Sequence, residues 1–266
     1  MNGGDRPLQE REREEVQWRR LALGLGPVVA GSLALGTMLF LVDRLRSEPE
    51  FRVSSAGFER DLANFYAAWF AHQRGVLWSI ALRELLLLAG FIGLAALGLS
   101  ACRPVLSPPA RLAPMLLSAG AVLHVVADFV FLGNVSVWRQ SGWSGHPASN
   151  MIAAGRTAEA VGAVSDAVEV ASFIVLGGAL LVLLPVVRAR GGSGALPAVI
   201  WVLIGGIGAY TVGVGAELEP LVDAGGAVAG LVAGPMMAVL LGRLGRGRPA
   251  PSSTITPQRG RPKHER

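Results

Sequence analysis

The stretch VASFIVLGGALLVLLPVV, residues 170–187, carries no charged side chain, and its length decides the architecture. With the residues just before it, the span 166–187 reaches the roughly 20 residues that a helix needs to cross about 30 Å of hydrocarbon. Backbone amides in lipid must be bonded within the segment, which leaves a helix or a barrel strand. A barrel strand would be about 10 residues long and would alternate in polarity. This run does neither, so it reads as a transmembrane helix.

The pattern recurs along the chain. Apolar runs at 21–42, 76–102, 112–132, 166–187, 196–216 and 224–241 predict an all-α integral membrane protein, a bundle of about six transmembrane helices within residues 21–242. Composition agrees, with 52% apolar and 16% charged residues, where a soluble domain carries about 25% charged. The first run is followed by Asp43, Arg44 and Leu45, not by a small-x-small cleavage site, so a retained helix is expected. Residues 1–20 form a polar, charge-mixed segment, and 243–266 read as a disordered basic tail.

Two external segments have content. Residues 58–73 place Phe58, Leu62, Phe65 and Trp69 at helical spacing. They predict a short amphipathic helix that lies on the outer membrane surface or caps the bundle. A Gly/Ser/Pro loop covers 141–150, and the Ala-rich stretch from Thr157 predicts a fourth helix that protrudes outward.

Sixteen Arg and Lys residues fall on the face that holds both termini, and seven fall on the other. The positive-inside rule then places both termini in the cytoplasm, which an even number of spans satisfies. Trp18, Trp78, Trp138, Trp143 and Trp201 sit near run ends, where headgroup depth suits them. Lys occurs once, at Lys263, a bias of GC-rich bacterial genomes that points to a bacterial plasma membrane. The basic residues flank apolar runs, so the expected partners are the lipid bilayer and, at the tail, anionic lipid, not nucleic acid. A single cysteine, Cys102, excludes an intramolecular disulfide and a cysteine-rich metal site.

The functional reading comes from charges inside the apolar runs. Arg83 and Glu84 interrupt the second run; His124 and Asp128 lie one turn apart on one face of the third. Asp166 and Glu169 mark the outer mouth of the fourth, and Glu217, Glu219 and Asp223 occupy the turn between the fifth and sixth. A charge at mid-membrane costs about 2.5–3.5 kcal/mol, so such groups face the bundle interior and find partners. Two readings follow: an outward-facing polar cavity for a proton, cation or small solute with Glu84, His124 and Asp128 at its base, or a structural interhelical network.

Small residues predict close helix packing. Gly205, Ala209 and Gly213 recur every fourth residue in the fifth run, and Gly226, Gly230 and Gly234 in the sixth, followed by Pro235, which predicts a kink. The two stripes are expected to face each other, or else to hold a homo- or hetero-oligomer. A transporter or permease-like subunit uses the charges; a non-catalytic scaffold uses tails and stripes. A metal-dependent intramembrane enzyme lacks its motif: His72 and His146 lie in external segments, and no His-Glu-x-x-His, nucleophile elbow or dinucleotide fingerprint occurs. No catalytic residue, metal-ligand set or cofactor is assigned.

Overall fold

Six helices follow one another: α1 (Leu8–Arg44), α2 (Phe58–Cys102), α3 (Pro108–Arg139), α4 (Ala148–Ala189), α5 (Ala195–Gly215) and α6 (Glu219–Leu244). The computed structural model describes residues 8–46, 49, 51, 57–103, 107–139, 147–190 and 194–244, and no strand occurs among them. Each helix holds a stretch long and apolar enough to cross a membrane. Residues 1–7, the loop through 140–146 with Trp143 and His146, the tail from 245 and the side chain of Trp138 lie outside the described structure.

The glycines show how the helices are arranged. Gly90 and Gly93 of α2 receive Leu33 and Val29 of α1, Gly98 receives Leu117 of α3, and Gly120 of α3 receives Leu176 of α4. Along α1 and α2 one number rises as the other falls; Phe91 against His124 extends the same order to α2 and α3, and Ala127 against Ser165 to α3 and α4, so neighbours run antiparallel. Gly206 of α5 approaches Ala229 of α6, and Gly226, Gly230 and Gly234 of α6 face Phe40, Thr37 and Leu33 of α1. The sixth helix therefore returns to the first and closes a ring.

The fifth and sixth helices pack against each other, with Gly213 of the expected stripe in the contact and Gly205 outside it. Gly205 has open space where a Cβ would stand; the α5 contact is made by Gly206 and Gly213, against Gly225 and Val222. Successive helical residues point about 100° apart, so a shift of one position turns a stripe to another neighbour. The Gly226–Gly230–Gly234 stripe is covered by α1 of the same chain.

Two further expectations change. Residues 58–73 are not a separate surface helix: α2 runs unbroken for 45 residues, about 67 Å. Its first half packs against the first half of α4, where Tyr66, Phe70 and Ile80 bury with Met151 and Ala158, and Tyr66 donates to Glu159 at 2.9 Å. The amphipathic face that suggested a membrane surface is spent on this neighbour. α4 begins at Ala148 and spans 42 residues, about 63 Å, longer than a crossing needs. In α6 the proline is accommodated by a π-helical turn over Ala227–Ala233. Pro235 offers no N–H and its ring would strike the carbonyl of Leu231; a wider turn relieves both.

The two ends of the ring differ. Towards the termini, Leu97, Leu183, Val187, Ile200, Met237 and Leu241 form a dry core together with buried Cys102, and Arg190 donates to the Ala101 carbonyl at 2.8 Å. At the far end, Arg44 of α1 pairs with Asp223 at 3.2 Å and Glu219 at 3.7 Å on α6. The core does not extend through that half. There the ring encloses a cavity.

Candidate functional site

All six helices line a central cavity of about 270 Å³. Its floor is apolar, with Leu94, Leu180, Leu203 and Met237 among its residues, and its walls carry Arg83, Glu84, His124, Asp128, Asp166, Glu169 and Tyr210. Four carboxyl groups thus face one guanidinium. A cavity with that balance favours positive charge.

Arg83 and Glu84 are consecutive on α2, so their side chains leave the helix in different directions and the long guanidinium folds back. Arg83 Nε donates to Glu84 Oε1 at 2.7 Å, and Nη1 stands 3.7 Å from Asp43 Oδ2 on α1. The guanidinium also lies 5.7 Å from the centre of the Phe40 ring. Asp43 in turn accepts from Ser79 Oγ at 2.8 Å. Arg83 is therefore held by two helices.

His124 has no such support. It lies one turn below Asp128 on α3, 2% exposed, with its ring 4.3 Å from that of Phe91 and 5.7 Å from that of Phe173. Its Nε2 stands 3.9 Å from Asp128 Oδ1, beyond hydrogen-bond reach. Neither ring nitrogen has a hydrogen-bond partner, and nor does Asp128 Oδ2. A buried polar atom left so costs about 1–3 kcal/mol. Glu84, His124 and Asp128 each offer one ligand atom, all within 4.8 Å of one another. Two ionised carboxylates at that separation repel by about 3–4 kcal/mol at an effective dielectric of about 20.

Opposite this cluster, Tyr210 of α5 donates to Glu169 Oε1 at 3.1 Å. Phe173, one turn below Glu169 on α4, packs edge-on against the Tyr210 ring at 5.0 Å. Asp166 is exposed while Glu169 is partly covered, and both line the cavity. Ser165 donates from α4 to the Ala127 carbonyl of α3 at 3.0 Å, fixing the wall that bears Asp128. Among the described residues, His72 is not part of the cluster. Asn134, whose sequence context matches a glycosylation pattern, is buried and donates to the Ala158 carbonyl at 3.0 Å.

The residues absent from the sequence reading are Asp43, Phe91, Phe173 and Tyr210. A spacing signal existed for two of them: Phe173 follows Glu169 by four residues and Phe91 follows Glu84 by seven, both on the face of the charge. Asp43 looked like a flank, because it ends an apolar run. Tyr210, beside Thr211, was one of two hydroxyls in such a run. No family model, curated protein or solved structure matches the chain, so its function rests on the cavity's own chemistry.

Proposed function

We propose that this chain is a small permease-like carrier of a bacterial plasma membrane, with both termini cytoplasmic, that takes a cation from the external side. The excess of Arg and Lys on the termini side supports that orientation. One observation carries the carrier reading: a 270 Å³ cavity, ringed by six helices and lined by four carboxyl groups against one guanidinium. Ionisable groups at such depth are costly to place and mark ion pathways. A purely structural network would pair its members, and His124 and Asp128 leave three atoms without hydrogen bonds. Of the tails and stripes that the scaffold reading uses, the glycine stripe on α6 is covered by α1.

The test uses purified protein in liposomes loaded with pH- and metal-sensitive dyes, exposed in turn to gradients of protons, sodium, potassium, manganese and zinc. The expected result is a protein-dependent flux of at least one cation, abolished by Glu84→Gln and by Asp128→Asn at equal protein content. Traces identical to empty liposomes for every cation, or full flux in both variants, overturn the reading.

A further inference from the structure

We propose that Glu84, His124 and Asp128 form a binding site for a divalent transition-metal ion. The inference deepens the cation-carrier reading and rests on it for its purpose, although the site itself requires only binding. Three ligand atoms, one from α2 and two from α3, lie within 4.8 Å of one another. Proximity of acidic groups alone would not distinguish a metal site from a polar cluster. His124 makes the distinction. It lines the cavity, is 98% buried as the complement of its 2% exposure, and has two ring nitrogens without a hydrogen-bond partner.

Ligation by one imidazole nitrogen removes one of those two deficits, and ligation by a carboxylate oxygen occupies Asp128. A neutral imidazole with two carboxylates carries two negative charges, which a divalent ion balances. Arg83 already bridges Glu84 Oε1 and Asp43, so Glu84 offers the ion its other oxygen, and the charge of Arg83 is offset by Asp43, which leaves the balance of two in place. A tetrahedral ion with ligands at about 2.0–2.2 Å keeps them about 3.3–3.6 Å apart, so closure needs about 1 Å of side-chain rotation. Glu84 and Asp128 have the torsions to supply it, while His124 is fixed between Phe91 and Phe173.

The donor set selects the ion. One nitrogen and two oxygens suit manganese, iron(II), cobalt or zinc; magnesium and calcium prefer oxygen alone, and copper(I) prefers sulfur. Within that group the order of affinity rises from manganese to cobalt, with zinc also tight. The remaining coordination positions face the cavity, where water or a cargo group would complete the shell.

The test uses the full chain in detergent, stripped with a chelator and titrated with cobalt, zinc, manganese and magnesium by calorimetry and, for cobalt, by visible absorption. One cobalt ion per chain, with ligand-field bands that zinc abolishes, is expected. Affinity falls about 100-fold or more in His124→Asn, and about 10- to 100-fold in Glu84→Gln and Asp128→Asn. Because His124→Asn could unfold, nitrogen hyperfine coupling to manganese bound in the unaltered protein gives a second readout of His124 ligation. Absence of stoichiometric binding, or equal binding by all three variants, overturns the site and assigns any bound ion to a histidine elsewhere, such as His72, His146 or His264. Binding without flux in liposomes leaves the site standing and removes the carrier. Proton or sodium flux without metal binding does the reverse.

Discussion

Alanine at Gly225 and alanine at Gly205 are chemically the same change on adjacent helices, and the structure predicts opposite effects. A Cβ at Gly225 would fall on the Tyr210 backbone nitrogen and within 2.7 Å of the Gly206 carbonyl oxygen. Both obstacles are backbone, so relief requires α5 and α6 to separate. Overpacking of this kind costs about 1–3 kcal/mol, and alanine returns about 0.5–1 kcal/mol as the better helix former. The net loss is up to about 2.5 kcal/mol, which for a chain of this size lowers Tm by up to about 10 °C. A Cβ at Gly205 meets nothing within 4 Å, so only the helix gain remains and Tm rises by about 1–4 °C. Thermal unfolding of both variants in one detergent, followed by tryptophan fluorescence, compares them directly. Equal destabilisation by the two would refute the α5–α6 register.

Arg83→Met removes the cation shared by Glu84 and Asp43, whose side chains are only 13% and 10% exposed, and should cost about 2–4 kcal/mol after discounting for partial solvation. Adding Glu84→Gln should recover part of that loss in chemical denaturation, whereas additive losses would show that the pair is not coupled. Gly230→Ala places a Cβ on the Thr37 hydroxyl, so it should lower Tm, and Thr37→Ala should partly restore it; no restoration would mean that α1 does not cover this stripe. Arg44→Ala breaks only exposed pairs to Glu219 and Asp223 and should change stability by less than about 1 kcal/mol. A loss well above that in 0.3 M salt would contradict the exposed placement.

Hydropathy is a local property, which is why the six crossings could be read from runs such as 170–187. What an amphipathic face packs against is not local. The polar residues of 58–73 fit a membrane surface or a neighbouring helix equally well, and the apolar run begins only after Arg74-Gly75. A glycine costs an uninterrupted helix only about 1 kcal/mol, and contact with α4 offsets it. Glycine register was ambiguous for a similar reason. Gly205 stands next to Gly206 and Gly225 next to Gly226, so each helix offers two stripes 100° apart and sequence spacing cannot choose between them. For the cavity, helix depth could be counted from the chain, which placed Glu84, His124 and Asp128 together at its base. Their azimuth depends on the ring, and so does the approach of Tyr210 and Asp43.

The carrier reading demands that the dry core near the termini open, and the ring is not equally able to move on all sides. α2, α3 and α4 are tied by directional bonds: Tyr66 to Glu159, Asn134 to Ala158 and Ser165 to Ala127. The metal ligands proposed above all lie on α2 and α3 of this side. Across the ring, α1 meets α6 through small residues, with Gly26 against Ala238 and Gly242 near the termini and the glycine stripe above. Apart from the exposed pairs of Arg44 with Asp223 and Glu219 at the far end, this seam is close packing of small residues, which allows sliding, and the π-helical turn at Ala227–Ala233 interrupts the regular ladder beside it. Opening by displacement of α6 along α1 would expose the floor at Met237 without disturbing Glu84, His124 or Asp128. A reducible bis-thiosulfonate cross-link between Arg44→Cys and Asp223→Cys, at the exposed pair that joins the same two helices, should then stop flux and leave metal affinity within about twofold, since the ligands do not move. If the cross-linked protein transports at the rate of its reduced form, this seam is not where the bundle opens.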